Sequence, residues 1–491
     1  MNAGYEAVIG LEVHAQLATR SKLFCGCSTA FGAAPNTHVC PTCVGLPGAL
    51  PVPNGGAVEM AMRAALALGC SVRPRSVFAR KNYFYPDLAK NYQISQYELP
   101  LNEHGKLVVE VDGVRREVAI LRIHLEEDAA KNLHGAGPDD ATLVDFNRAG
   151  VPLMEIVSEP DLRSAAEAEE YLRRLREILL FMRVNDGNLE EGSFRCDANV
   201  SVRPVGATKL GTRTELKNIN SFRFVRKAIE GEIARQIAVV SGGGRITQET
   251  RHWDEVHGTT VAMRSKEEAM DYRYFPDPDL PPLVVEDAHV ERVRSALPEL
   301  PAARRARWQV ALGATAADAA VLGGHPVIAD YFEAVATALV TTTGGKLSAP
   351  EAGKRAANFI QAEILRHATT EGLAASLPVE AHALAELLAL VEAGTISGKM
   401  AKDVCAEMVA TGRRPAKIVA ARGLAQVSDR APIEKAVREA MERSPDNVTQ
   451  YRAGKTNVLG WFVGQVMKAT GGAANPKLVN EVLRELLGGG A

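Results

Sequence analysis

Between Val8 and Leu17 the chain alternates, with Ile9, Leu11, Val13 and Leu17 on one side and Glu12, His14 and Gln16 on the other. A period of two predicts a strand with one face on a core and the other open. The same period recurs over residues 119–128. There Leu121, Ile123 and Leu125 are predicted to point one way and Arg122, His124 and Glu126 the other. Residues 107–111, 151–157, 194–203 and 211–217 are further strand candidates. After Ser164 the period changes to 3.6, and Tyr171, Leu172, Leu175, Ile178, Leu179 and Met182 form one apolar stripe. Ser164 and Glu167 have capping-box spacing, and Ser221 is placed to cap a second helix that ends near Val240, before "SGGG". From about Glu291 the strand signal gives way to Ala- and Leu-rich helical segments broken by "TTTGGKLSAP", "GTISGK" and "GGAANP".

This order predicts an α+β first part with antiparallel strands, then an all-helical second half. Strand and helix do not alternate regularly, which excludes a doubly wound sheet. Neither a G-x-G-x-x-G loop nor a P-loop is present, so a nucleotide would not sit on either scaffold. The expected domains are residues 1–290, closing near the Pro-rich "YFPDPDLPPLVV", a connecting helical domain over 291–394, and a helical tail over 395–491.

Composition adds little: 491 residues, 46% hydrophobic and 24% charged, are ordinary for a globular chain. No apolar run is long enough for a membrane span and no signal peptide is evident, so a cytoplasmic protein without membrane attachment is expected. The formal charge of −2 is unevenly spread. From Thr395 onward 15 Lys and Arg face 9 Asp and Glu, a net of +6 on a tail that could meet a polyanion.

Two groups of residues suggest metals. Glu155 interrupts an apolar run, and a buried carboxylate needs a proton, a partner or a cation. With Glu12, His14 and Glu126 it makes a hard, oxygen-rich donor set suited to magnesium. Separately, Cys25 and Cys27 are followed, after twelve intervening residues, by Cys40 and Cys43. Two thiolate pairs at this spacing suit a closed, structural zinc site, with Pro41 and Gly45 forming its turn. Cys70, Cys196 and Cys405 are isolated and read as core residues.

Longer stretches carry a family likeness. "IGLEVHAQL", "RKNYFYPDLAKNYQISQ", "HLEEDAAK", "PLMEIVSEPD", "EEGSFRCDANVSVRP", "TELKNINSF" and "DYRYFPDPDLPP" resemble the GatB family, one of the component chains of the tRNA-dependent amidotransferases. "GKTNVLGWFVGQVMKATGGAANPKLV" is similar to that family's YqeY-like tail. The resemblance implies a glutamine-synthetase-like antiparallel cradle and a helical tRNA-binding tail. It implies an enzyme, a carbon–nitrogen ligase active only with a glutaminase (A) subunit and a small C subunit. ATP would activate the side-chain carboxylate of Glu-tRNA(Gln) or Asp-tRNA(Asn), and glutamine-derived ammonia would convert it to the amide.

Carried onto this sequence, the likeness implies Glu12, His14, Glu126 and Glu155 as catalytic magnesium ligands. Arg195, Asp197, Lys217 and Asn218 would line the nucleotide or substrate pocket, and Lys455, Lys468 and Lys477 would contact tRNA. The cysteine loop occurs in only some members, so its zinc is expected to be structural. The rival expectation is a non-catalytic RNA-binding adaptor with a structural zinc loop.

Overall fold

A computed structural model describes residues 4–135, 141–265, 271–424, 430–470 and 474–488. Contacts divide the chain into two units, residues 1–301 and 302–491.

The first unit runs β1 (Tyr5–Gln16), α1 (Gly55–Ala67), β2 (Ser71–Val72), β3 (Arg75–Ser76), β4 (Ala79–Asn82), β5 (Tyr92–Ser95) and β6 (Asn102–Val111). It continues through β7 (Val114–Glu127), β8 (Lys131–Leu133), β9 (Leu143–Asp145), β10 (Pro152–Ser158), α2 (Ala165–Phe181) and β11 (Phe194–Pro204). The last elements are β12 (Thr214–Lys217), α3 (Phe222–Ser241), β13 (Glu249–Asp254), β14 (Thr259–Ser265), β15 (Phe275–Pro276), β16 (Leu283–Val284) and α4 (Asp287–Ser295). Nine strands form one sheet in the order β14-β13-β12-β11-β1-β10-β7-β6-β2. A smaller sheet, β15-β4-β5, is separate from it.

The main sheet is antiparallel except for β12 and β13, which pair in parallel. The reason is the connection: α3 carries the chain back across the sheet, and a helical crossover returns the next strand in the same direction. Leu11, Val13, Ile123, Leu125, Met154 and Ile156 are buried on the helix-covered face, where α2 packs on β6 and α3 on β11. Ser164 caps α2 by accepting from Glu167 N at 3.2 Å. The expected reciprocal bond is replaced. The Glu167 carboxylate accepts from Arg163 N at 2.7 Å and from Arg116 Nε at 2.9 Å instead. Ser221 caps α3 through Phe224 N, and the helix stops before Gly242.

Leu121 departs from its predicted side. It is 40% exposed, while Val118, Ile120, Ile123 and Leu125 are buried. The pairing of β10 with β7 skips it, running from Val157↔Arg122 to Ser158↔Ile120. This bulge changes which parity faces the core and leaves the extra residue outside.

In the second unit the helices are α5 (Pro301–Ala311), α6 (Ala316–Leu322), α7 (Pro326–Thr342), α8 (Ala349–Phe359), α9 (Ala381–Glu392), α10 (Gly398–Thr411) and α11 (Pro415–Arg422). They are followed by α12 (Arg430–Glu442), α13 (Pro445–Arg452), α14 (Val458–Ala469) and α15 (Pro476–Gly488). The all-helical expectation needs one correction. A short hairpin, β17 (Thr369–Glu371) with β18 (Ala374–Ser376), stands between α8 and α9. Its turn uses Gly372 at φ +56°, a conformation a glycine adopts without steric cost. Phe462, Val466, Val479, Val482 and Leu483 join Ile433 and Val437 in a core of the tail helices. Among the described residues no helix is long and apolar enough to cross a membrane.

Candidate active site and metal centre

The open face of the main sheet carries a polar row built by register. Arg195, His14, Glu155 and His124 lie opposite one another across β11, β1, β10 and β7. Two residues along, the same face carries Asp197, Glu12, Val157 and Arg122. Alternation explains the contrast with the buried face: each strand sends every second side chain to this side.

His14 Nε2 lies 3.6 Å from Glu155 Oε2 and 3.8 Å from Glu126 Oε1. Donor atoms of His14, Glu126 and Glu155 all lie within 4.8 Å of one another, compact enough to share a cation. Glu12 is outside this group. It accepts from Asn199 Nδ2 at 2.9 Å, one same-face step along β1. Burial pushes the Glu12 carboxyl up, and the charges of Glu155, Glu215 and Asp197 push it further. Burial alone would lower His14, but the bond to Glu155 and the charges of Glu155 and Glu126 outweigh it and raise the imidazole to about 9. Burial opposes ionisation of Glu155, yet His124 and His14 hold it well below the ordinary carboxylate range. Two carboxylates and an imidazole within reach of one point, beside a cavity, fit a divalent ion.

The four residues expected to bind nucleotide or substrate come to the same place. Arg195, Asp197, Lys217 and Asn218 line a cavity of ≈ 800 Å³ together with His14 and Glu126. Lys217 Nζ contacts Asp197 Oδ2 at 2.7 Å and Glu215 Oε1 at 3.2 Å. Arg195 Nη2 bonds Asp128 Oδ2 at 3.0 Å, and Gln16 Nε2 donates to the same oxygen at 2.7 Å. Burial pushes Asp128 up, but Arg195 and Arg148 outweigh it and hold the acid below its ordinary value.

Three residues around this site escaped the sequence reading of it. Buried His124 puts Nε2 3.4 Å from Glu155 Oε2, and its Nδ1 has no partner among the described residues. Its shared parity with Glu126 was the available signal. Lys81, on β4 of the separate small sheet, lines the cavity and faces the charges of Glu126 and Glu155. No periodicity in the sequence points to it. Asp128 lies just beyond β7 and anchors Arg195. The expected RNA contacts Lys455 and Lys468 are exposed on the helical tail. Lys477 belongs to α15, and its side chain lies outside the described residues.

The cysteine cluster is a second centre. Cys43 Sγ lies 3.6 Å from Cys25, 3.7 Å from Cys40 and 3.8 Å from Cys27. A tetrahedron with Zn–S bonds of about 2.3 Å has edges of about 3.8 Å, so the four sulfurs fit zinc. Gly45 turns the loop at φ +65°, and a Cβ there would meet Lys90 Cγ at 2.4 Å. Fully buried Lys22 places Nζ 3.3 Å from Cys43 Sγ and donates to the carbonyls of His38 and Phe146. The hydrogen bond from Cys25 holds the Cys43 thiol down to about 4, with the Lys22 charge adding to it, while Cys25 is raised by keeping the proton. Cys70, Cys196 and Cys405 are free and buried.

Residues 7–291 match a family model described as the GatB/GatE catalytic domain, and residues 344–487 match one described as the GatB domain. A relative from Anaeromyxobacter sp. (strain K), named as the B subunit of an aspartyl/glutamyl-tRNA(Asn/Gln) amidotransferase, is 56% identical over 485 residues, with 99% of each chain covered. Proteins of the same name from Geotalea daltonii and Myxococcus xanthus are 55% and 53% identical, each over 99% of this chain and 100% and 99% of their own. With the cradle and the helical tail both matched, and relatives aligned along nearly the whole length, the chain belongs to the GatB family, the B subunits of aspartyl/glutamyl-tRNA(Asn/Gln) amidotransferases.

Proposed function

We propose that this chain is the subunit in which ATP activates the side-chain carboxylate of Glu-tRNA(Gln) or Asp-tRNA(Asn) and ammonia converts it to an amide. One observation carries the reading. His14, Glu126 and Glu155 converge from three adjacent strands beside a cavity that also holds Lys81, Arg148, Arg195 and Lys217. Acids that gather a cation and bases that gather phosphate are what phosphoryl transfer to a carboxylate requires.

A carboxylate repels nucleophiles and has no good leaving group. Attack of its oxygen on the γ-phosphorus of ATP forms a carbonyl–oxygen–phosphorus link and releases ADP. Ammonia then adds at the carbonyl carbon, and inorganic phosphate departs. His14, Glu126 and Glu155 would hold magnesium, with Glu12 beside them, and His14 would give up its proton to act as a ligand. When bound, magnesium supplies charge neutralisation at the phosphates. Arg195, oriented by Asp128, and Lys217, oriented by Asp197, offer cations to the transferring group. Asn218 and Asp197 complete the nucleotide side.

The proposal extends to the rest of the assembly. A glutaminase (A) subunit would supply ammonia from glutamine, a small C subunit would complete the complex, zinc at the four cysteines would brace the loop, and the setting would be cytoplasmic. Residues 1–290 form the cradle, 291–394 the connection and 395–491 the tRNA-binding tail, where Lys455, Lys468 and Lys477 meet phosphates. The test is ADP release by the assembled complex with ATP, magnesium, glutamine and misacylated tRNA. Release coupled to amide formation and dependent on the tRNA is expected. Tight tRNA binding without ADP release would leave the non-catalytic adaptor.

A further inference from the structure

Next to the carboxylate cluster stands an aromatic group that the chemistry above does not use. Tyr97, after β5, and Tyr274, before β15, stack with centroids 4.3 Å apart and planes 8° apart. Tyr97 is 47% exposed, so part of this side chain is open at the surface. Arg122 Cζ lies 5.7 Å from the Tyr97 centroid. This guanidinium makes no hydrogen bond or ion pair among the described residues, and its buried Nε is without a partner. A half-buried cation left unpaired in a region rich in acids is unusual and calls for an anion.

The position is informative. Arg122 is on the open face of β7, one same-face step from His124. Tyr274 also meets Tyr272 edge to face at 6.1 Å, and Lys81, which lines the cavity, places Nζ 4.8 Å from the Tyr272 ring. One same-face step along a strand is about 7 Å. An esterified glutamyl arm, from the ribose oxygen to the side-chain carboxylate, spans roughly 6 Å at ordinary bond lengths. A nucleoside held beside Arg122 therefore has an aminoacyl arm of about the length of the step to His124 and its partner Glu155.

Resting on the amidotransferase reading, we propose that Tyr97, Tyr274 and Arg122 form the subsite for the terminal purine nucleoside of the aminoacyl-tRNA, the rings stacking its base and Arg122 pairing with its phosphodiester. The shared chemistry, a purine nucleoside phosphate, is also that of ATP. The charges separate the two sources. Arg148, Arg195, Lys131 and Lys217 gather around the cavity, as a polyphosphate needs, whereas the tyrosine pair has one free guanidinium, as a single phosphodiester needs. Aromatic stacking on an exposed ring is also how protein surfaces hold unpaired nucleotides at strand ends.

The test uses the assembled complex with Tyr97→Ala, Tyr97→Phe and Arg122→Gln. Tyr97→Ala is expected to raise KM for aminoacyl-tRNA roughly tenfold, the scale of one lost base stack, with KM for ATP and kcat within about twofold of wild type. Tyr97→Phe keeps the ring and should restore tRNA KM. Arg122→Gln should raise tRNA KM and lower the salt dependence of binding by about one phosphate contact. A rise in KM for ATP instead would assign the rings to the ATP base. Unchanged KM for both substrates in Tyr97→Ala would overturn the subsite. A wild-type complex that performs no amidation would instead remove the underlying function, and the two failures are told apart by the wild-type control.

Discussion

The two clusters of metal-ligating side chains differ in how they are made and in what surrounds them. The cysteines come from one loop within 19 residues, whereas His14, Glu126 and Glu155 come from three strands far apart in the chain. The thiolate cluster brings its own cation, Lys22, sealed from water and bonded to two carbonyls. The carboxylate cluster borders a cavity of ≈ 800 Å³, and one of the cations lining it, Lys81, belongs to a different sheet. Four like ligands around a closed centre leave no position for a substrate. Three mixed ligands beside open space leave several. Under the proposed function, the closed centre braces the fold and the open one serves the reaction.

The largest effect should come from the open cluster. Glu155→Gln keeps the volume and removes the charge between His14 and His124. Amidation by the assembled complex should fall about a hundredfold or more, the scale of losing one preorganised electrostatic group, while the unfolding midpoint changes little. Wild-type amidation rates in this variant would erase the distinction between the two clusters.

Replacing Cys40 and Cys43 together with Ser should have the opposite profile. Zinc measured by metal analysis should drop from one ion per chain to none. The unfolding midpoint should fall by at least about 5 °C, with amidation at low temperature surviving in the folded fraction. Abolished amidation in a still-folded variant would make the closed centre part of the reaction.

Lys22→Met sharpens the contrast through pH. Cys43 has a depressed folded value, about 4 against 9.0 for the free thiol. The Cys25 bond lowers Cys43 and raises Cys25 alike, so only the part that Lys22 supplies favours the folded state, present at pH above the ordinary thiol value and lost as pH falls. Removing the ammonium raises the thiol, so acid should release zinc at a higher pH from Lys22→Met than from the parent. Coincident release curves would show that Lys22 only fills space.

The smallest effects lie outside both clusters. Lys455→Ala and Lys468→Ala should each weaken tRNA binding only a few-fold and reduce the salt slope by about one. On the sheet, Leu121→Lys should cost under about 0.5 kcal/mol, whereas Leu125→Ala should cost about 2–5 kcal/mol. Equal costs in chemical denaturation would contradict the bulge.

The chain's own sequence determined what depends on neighbours along it. The alternation around His14, the cap at Ser164, the helix after Ser221 and the spacing of the four cysteines are local, because backbone period, capping and loop closure act over a few residues. The loop's four sulfur ligands were legible for the same reason, but Lys22 was not, since nothing in its neighbours marks a buried ammonium. Tertiary structure decided the rest. Register between strands brought His124 against Glu155, left Glu12 outside the tight group, and moved Leu121 out of the core by one skipped residue. The parallel pair followed from where α3 returned the chain. Lys81, Tyr97 and Tyr274 reached the open face from a second sheet. Such placements depend on pairing between segments that are separated along the chain, and a side chain's type and period carry no information about which distant strand will stand opposite it.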